Sequence, residues 1–392
     1  MRAGPWLRLC GLGATGAVAL VVASGSLGLT HRALVAVALP FLVAMVLGAW
    51  LAHRDALGAA SAALVLYLAA VASWWSPRLH VGLAALAAAA TAVAAAQLHR
   101  GSRPARVAWR DYVTLTKPRI MSLLLLTGAA GMFVGAQGVP DGGTFAAMLV
   151  GLALACGGAS AMNHVLDRDV DRSMKRTSSR PVADGRVSPE LALEFGLALS
   201  ALSFVLLASA VNVLTASLAL VGNLFYVLVY TRWLKRSTPQ NIVIGGAAGA
   251  VPPLVGYAAA TGNLALPALF LFLIVFFWTP PHFWALALLI KRDYEAARIP
   301  MLPVVRGDRE TARQVLLYTF LLVGLTLVPV LTGTFGAVYL AAAAVLGAQF
   351  IRLALRLRRS TVAAEAGRLF HYSLAYLALL FVAMAIDPIV VL

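Results

Sequence analysis

Two cysteines in 392 residues, Cys10 and Cys156, leave no material for a disulfide framework or a CxxC metal site. Charge is scarce as well: Asp, Glu, Lys and Arg make up 12% of the chain, against about 25% in a soluble domain. No GxxxxGK segment followed by Ser or Thr is present, which excludes the ATP-type phosphate cradle. What fills the chain instead is apolar sequence, 61% by count. The reading is an all-α, polytopic membrane protein.

Runs long enough to cross a bilayer as helices, roughly 20 residues each, fall near 10–30, 33–52, 56–75, 80–98, 119–139, 144–165, 190–211, 213–231, 241–261, 264–289, 313–333, 335–353 and 370–391. The first resembles a signal segment, but Arg2, Arg8 and the spans that follow favour a retained helix.

The net charge of +16 is a matter of topology. From the fifth span onward, 25 of the 31 Lys and Arg lie in the loops 99–118, 166–189, 232–240, 290–313 and 352–369, and the alternating loops near 140, 212, 262 and 334 hold none. The positive-inside rule then puts the N-terminus and the basic loops in the cytoplasm and the C-terminus outside, in the cell membrane. No nucleic-acid signature accompanies the basic balance.

Residues 101–118, GSRPARVAWRDYVTLTKP, form the polar stretch that can separate two membrane units, and a boundary is placed there. Four Ala-rich spans (1–100) precede a nine-span unit (101–392). In the nine-span unit two charged loops follow the second and sixth helices, a spacing that hints at an internal repeat although the loops share little sequence.

The first charged loop opens NHVLDRDVDRSMKRTSSRP, Asn163 to Pro181. Asn163, Asp167 and Asp171 are four apart and stack on one face if the helix continues past the membrane surface. Asp169 lies roughly 200° from Asp167 and needs a bend to join them. The bland reading pairs these aspartates with Arg168, Arg172 and Lys175. Against it, carboxylates at a helix C-terminus oppose the macrodipole, and a hard cation such as Mg²⁺ gives them a reason to be there. Lys175, Arg176, Arg180, Lys235 and Arg236 crowd the same membrane face, and carboxylates, Mg²⁺ and basic groups together describe a diphosphate site. The rest of such a ligand would lie among membrane helices, which makes an isoprenoid the natural candidate.

In the second loop, IKRDYEAARIPMLPVVRGDRETAR, Asp293 either faces the first loop across a cavity or pairs with Arg292. The span before it contains VFFWTPPHFWALAL. Pro280 and Pro281 remove two helical donors and predict a kink. His282 is an ionisable residue at membrane depth, and so a functional candidate, with a neutral His bonded to another helix as the plainer reading. Phe277, Trp278, Phe283 and Trp284 suit either a planar or cationic ligand or simple packing.

The first motif together with DYEAARIPMLPVVRG resembles the UbiA-type intramembrane prenyltransferases, and within them the protoheme IX farnesyltransferases (heme O synthases). The resemblance covers roughly residues 108–390, with TKPR at 116–119, YTRWLKRSTPQNIVIGG at 230–246 and TPPHFWALAL in support. It implies transfer of a farnesyl group from farnesyl diphosphate to a vinyl group of heme b, in a nine-helix fold. Asn163, Asp167, Asp171 and Asp293 would bind Mg²⁺ and diphosphate. Lys117, Arg176, Arg180, Lys235 and Arg236 would hold diphosphate oxygens, and His282 is the heme-binding candidate. Heme A synthase or a terminal oxidase is an implied partner. The superfamily's second motif is DxxxD, whereas Ala297 stands at its last position here, so Asp169 or Asp308 is the remaining candidate for a second metal. An aromatic quinone precursor as acceptor, and a transporter, are the alternatives. In the N-terminal unit His31, His53, His80 and His99 sit near span ends, either as heme-ligand pairs, faintly resembling half of a heme A synthase, or as interfacial side chains.

Overall fold

The computed structural model describes residues 108–390, with isolated positions 61, 63–65, 67 and 91 before them. Apart from those positions, the four N-terminal spans, with Cys10, His31, His53, His80 and His99, lie outside the described residues, as does the start of the second domain at 101. Among the described residues there is no strand, and nine helices are long and apolar enough to cross a bilayer. They are α1 (Pro118–Ala136), α2 (Gly142–Leu166), α3 (Pro189–Ala210), α4 (Val213–Ser237), α5 (Asn241–Thr261), α6 (Leu266–Leu289), α7 (Gly307–Leu331), α8 (Ala337–Arg359) and α9 (Ala363–Val390).

The nine form a closed ring. Each packs on its chain neighbour, α9 returns to α1, and the most extensive contacts are α2 with α3 and α1 with α5. Side chains settle where several helices begin. Asp141 accepts from the Thr144 amide at 2.8 Å, Ser188 from Leu191 at 3.3 Å with Pro189 in the first turn, and Asn212 from Thr215 at 2.8 Å.

Helix α8 starts at a glycine that has no side chain to cap it, and α9 supplies one from a distance. Buried Asp387 accepts from the Gly336 amide at 2.5 Å and the Tyr339 amide at 3.0 Å. Asp387→Ala leaves both amides unpaired and should cost about 1–2 kcal/mol, with Asp387→Asn costing less. Thermal unfolding in detergent measures the difference.

Helix starts and one break depart from the expected spans. Helices α7 and α9 begin earlier than hydropathy indicated, at Gly307 and Ala363 rather than 313 and 370, because Asp308–Arg313 and Glu365–Arg368 are helical turns standing clear of the apolar stretch. Helix α6 runs through Pro280 and Pro281 to Leu289. A break that the sequence reading did not expect falls in α5, at Ala250 between the segments Asn241–Gly249 and Val251–Thr261, where Pro252 and Pro253 remove donors at the start of the second segment.

Helix α4 changes winding. Its first half, Val213–Leu224, is α-helical, and Phe225–Leu234 is π-helical before an α turn over Lys235–Ser237. π-Helical turns are rare and concentrate at functional sites; this one ends where Thr231, Lys235 and Arg236 meet the first charged loop.

Candidate functional site

The functional candidates gather at one end of the ring, the end that carries the basic loops. Asn163, Asp167 and Asp171 form the column their spacing predicts. Helix α2 ends at Leu166 and a short helix, Arg168–Ser173, follows. Even so, Asp167 N–H donates to Asn163 O at 2.9 Å and Asp171 N–H to Asp167 O at 2.7 Å, so the four-residue ladder continues across the junction. The three residues are 3%, 1% and 2% exposed. Carboxylates so deeply buried require partners.

The partners come from elsewhere in the chain, not from Arg168, Arg172 and Lys175. Arg180 Nη1 donates to both oxygens of Asp171 at 2.8 Å. From the end of α4, Lys235 Nζ donates to Asp167 Oδ2 at 2.5 Å. Asn163 gives its amide N–H to Asp167 Oδ2 at 2.8 Å and to Thr231 Oγ1 at 3.1 Å, and its oxygen accepts from Lys117 Nζ at 2.6 Å. Arg172, by contrast, spends its Nε on the Ala183 carbonyl.

Lys117 is reached by an unusual backbone. It precedes Pro118 at φ 51°, in the left-handed region that non-glycine residues occupy at a cost, typically where function over-determines the conformation. Burial pushes its ammonium pKa down to about 7; Arg180 and Lys235 add to the shift, and Asp167 opposes it. Three cations, Lys117, Arg180 and Lys235, thus converge on one buried amide–carboxylate column.

Asp169 stands apart, 68% exposed and gripped by both Nη atoms of Arg236 at 2.7 Å. That grip holds its carboxyl below the usual range. Arg236 also donates to the Leu166 carbonyl, which ties α4 to the end of α2.

The two charged loops meet. Asp293, in the short helix Lys291–Ala296, accepts from the Arg176 backbone amide at 3.2 Å across 117 residues of chain. Among the described residues it has no ion pair, with Arg292 or any other cation. Neighbouring Tyr294 is buried, which raises its hydroxyl pKa, while Arg176 and Arg180 oppose the rise. Asp308 is engaged by Lys291 at 2.8 Å.

His282 lies about 10 Å along α6 from its end at Leu289. Its Nδ1 is 2.7 Å from Ser373 Oγ on α9, and its ring stacks between Trp278 and Phe370 at 4.3 and 4.9 Å. Trp278 donates to the Ser373 carbonyl at 2.8 Å. Phe277 and Trp284 both pack on Tyr318 of α7.

The column suits a hard cation only in company. Among the described residues no three His, Cys, Asp or Glu side chains converge enough to hold an ion by themselves. One carboxylate oxygen, Asp167 Oδ1, is nevertheless buried with no hydrogen-bond partner. Two carboxylates, one of them with an unpaired oxygen, and an amide oxygen fit Mg²⁺, which keeps waters and takes phosphate oxygens to complete its shell.

Comparison with known proteins gives the family. The model of the UbiA prenyltransferase family matches residues 124–382. The chain belongs to that family. Its relatives include the protoheme IX farnesyltransferase of Symbiobacterium thermophilum, 54% identical over 280 residues that cover 71% of this chain and 94% of that one. The protoheme IX farnesyltransferase 1 of Pseudomonas fluorescens is 49% identical over 73% of this chain and 96% of that one. Other relatives are longer: the match to the protein of the same name from a Roseiflexus species, 51% identical over 72% of this chain, spans 53% of its length. Two solved structures share the UbiA fold at 19% identity. A digeranylgeranylglyceryl phosphate synthase aligns at a TM-score of 0.61 over 72% of this chain and 98% of that one, and a UbiA homolog from Archaeoglobus fulgidus bound to DMAPP and Mg²⁺ at 0.53 over 69% and 99%. This family member is therefore an all-α, multi-pass membrane protein.

Two buried residues beside Asn163 escaped the sequence reading: Thr231, which accepts from its amide and whose signal was its place in YTRWLKR, and His164, the next residue in the chain, which sits in an apolar run.

Proposed function

We propose that the protein transfers a farnesyl group from farnesyl diphosphate to a vinyl group of heme b, giving heme O, at the cytoplasmic face of the cell membrane. The observation that carries the reading is the buried column of Asn163, Asp167 and Asp171, ringed by Lys117, Arg180 and Lys235 at one end of an apolar helical ring. The relatives' names supply the farnesyl donor and heme acceptor, and the ligand of the A. fulgidus homolog supplies the precedent for an allylic diphosphate with Mg²⁺.

In this reading Lys117, Arg180 and Lys235 turn toward diphosphate oxygens, with Arg176 and Arg236 at the rim. Their positive charge stabilises the negative charge that grows on the diphosphate as the allylic C–O bond breaks. Asn163 positions Lys117 and Asp167. Asp293 holds the second loop over the first through the Arg176 amide. The apolar walls keep bulk water away until the vinyl carbon has attacked. Asp167 and Asp171, together with Asp293 from the second loop, would hold Mg²⁺, whose chemistry there would be to neutralise part of the diphosphate charge. His282, in its aromatic stack, is the candidate contact for the heme plane.

The test is mass spectrometry of hemes after incubation of purified protein with heme b, farnesyl diphosphate and Mg²⁺, beside an EDTA control. The expected result is a farnesylated, hydrated heme formed only with Mg²⁺. Intact heme b beside folded protein would refute the acceptor, and turnover on a quinone precursor in its place would assign the aromatic alternative.

A further inference from the structure

We infer that His164 is a further diphosphate-binding residue, its imidazole N–H donating to a diphosphate oxygen. The inference rests on the diphosphate reading above and adds to it a residue that the carboxylate motif does not contain.

His164 follows Asn163 directly in the last turn of α2 and is 1% exposed. Neither ring nitrogen has a hydrogen-bond partner among the described residues. His282, also buried, bonds through Nδ1 to Ser373. A buried imidazole always presents at least one N–H donor, and a donor left unpaired in the interior is destabilising. Such groups are rare enough in folded proteins to require a reason.

The surroundings supply one. The charges acting on the His164 ring are those of Lys117 and Arg180, whose own bonds go to Asn163 and Asp171. Both are cations and neither can accept a hydrogen bond. The partner that fits an N–H donor beside two cations is an anionic oxygen, and diphosphate is the anion this site is proposed to take.

A structural histidine and a ligand-binding one respond oppositely to His164→Leu. If the ring serves the ligand, removing unpaired polar atoms from the empty interior leaves stability unchanged or raised, while diphosphate binding weakens. The experiment is titration calorimetry of the full chain in detergent with inorganic diphosphate and Mg²⁺, together with thermal unfolding of the ligand-free protein. His164→Leu should bind diphosphate roughly tenfold more weakly with an equal or higher melting temperature. His164→Gln, which retains an N–H donor, should recover most of the affinity. Wild-type affinity in His164→Leu overturns the inference, as does weakened binding that Gln does not rescue and a lowered melting temperature accompanies. A wild-type protein that binds no diphosphate overturns the underlying functional reading, and a normal wild-type titration with an indifferent His164→Leu overturns this inference alone.

Discussion

Asp171→Asn is expected to lower kcat/KM for prenyl transfer by at least about 100-fold while the protein still folds. The amide keeps the shape of the side chain, and the Asp171 backbone bond to Asp167 is untouched. What disappears is the negative charge that holds Arg180 in a two-point grip. Arg180 is then left without its counter-charge, and a proposed metal ligand is lost at the same stroke. Asp169→Asn is the control: its carboxylate is 68% exposed and its Arg236 pair contributes little, so activity should fall by less than roughly tenfold. Heme mass spectrometry gives the rates and gel filtration the folding. Equal losses at the two positions would remove the distinction between a buried working column and an outer pair, and full activity in Asp171→Asn would refute its role.

Gly256→Ala is expected to be the most damaging single methyl in the bundle. A Cβ at Gly256 falls on the carbonyl oxygen of Gly128, and one at Gly131 falls on that of Pro253. Backbone meets backbone here, as where small residues let membrane helices approach, and no flexible side chain can give way. Overpacking of this kind costs about 3 kcal/mol. Because α1 carries Lys117 at its start, a displaced α1 should also disturb the site. Gly324→Ala in α7 is the contrast: nothing lies within 4 Å of its Cβ, and alanine's better helix propensity should leave stability equal or raise it by about 1 kcal/mol. Thermal unfolding of the two variants side by side decides the matter; equal melting temperatures would mean that α1 and α5 tolerate separation.

How much of this was legible beforehand depends on range. The column was legible because four-residue spacing is a local property of one helix, and the separation of Asp169 from it follows from the same geometry. The identity of the partners was not. Charge distribution put Lys235 and Arg236 on the right membrane face, but which carboxylate each one meets depends on the winding of α4, and hydropathy carries no sign of the π-helical turns at Phe225–Leu234. The contact between Asp293 and the Arg176 amide joins residues 117 apart and depends on how distant helices pack. His164 looked like any polar residue near a span end, since a sequence does not record whether a ring nitrogen has found a partner.

The ion pairs of the column also bear on the proposed turnover. Asp167 with Lys235, and Asp171 with Arg180, are matched within the chain itself. Under the proposed function an incoming diphosphate would exchange one set of ionic contacts for another and would not fill a field of bare charge. Exchange would mute the net gain on binding, because each cation that turned toward the ligand would leave a carboxylate behind. The same exchange would run backward once the prenyl chain had gone: the carboxylates would reclaim their cations and help expel inorganic diphosphate, which would no longer have a hydrocarbon tail to anchor it. A site built this way would limit inhibition by its own product.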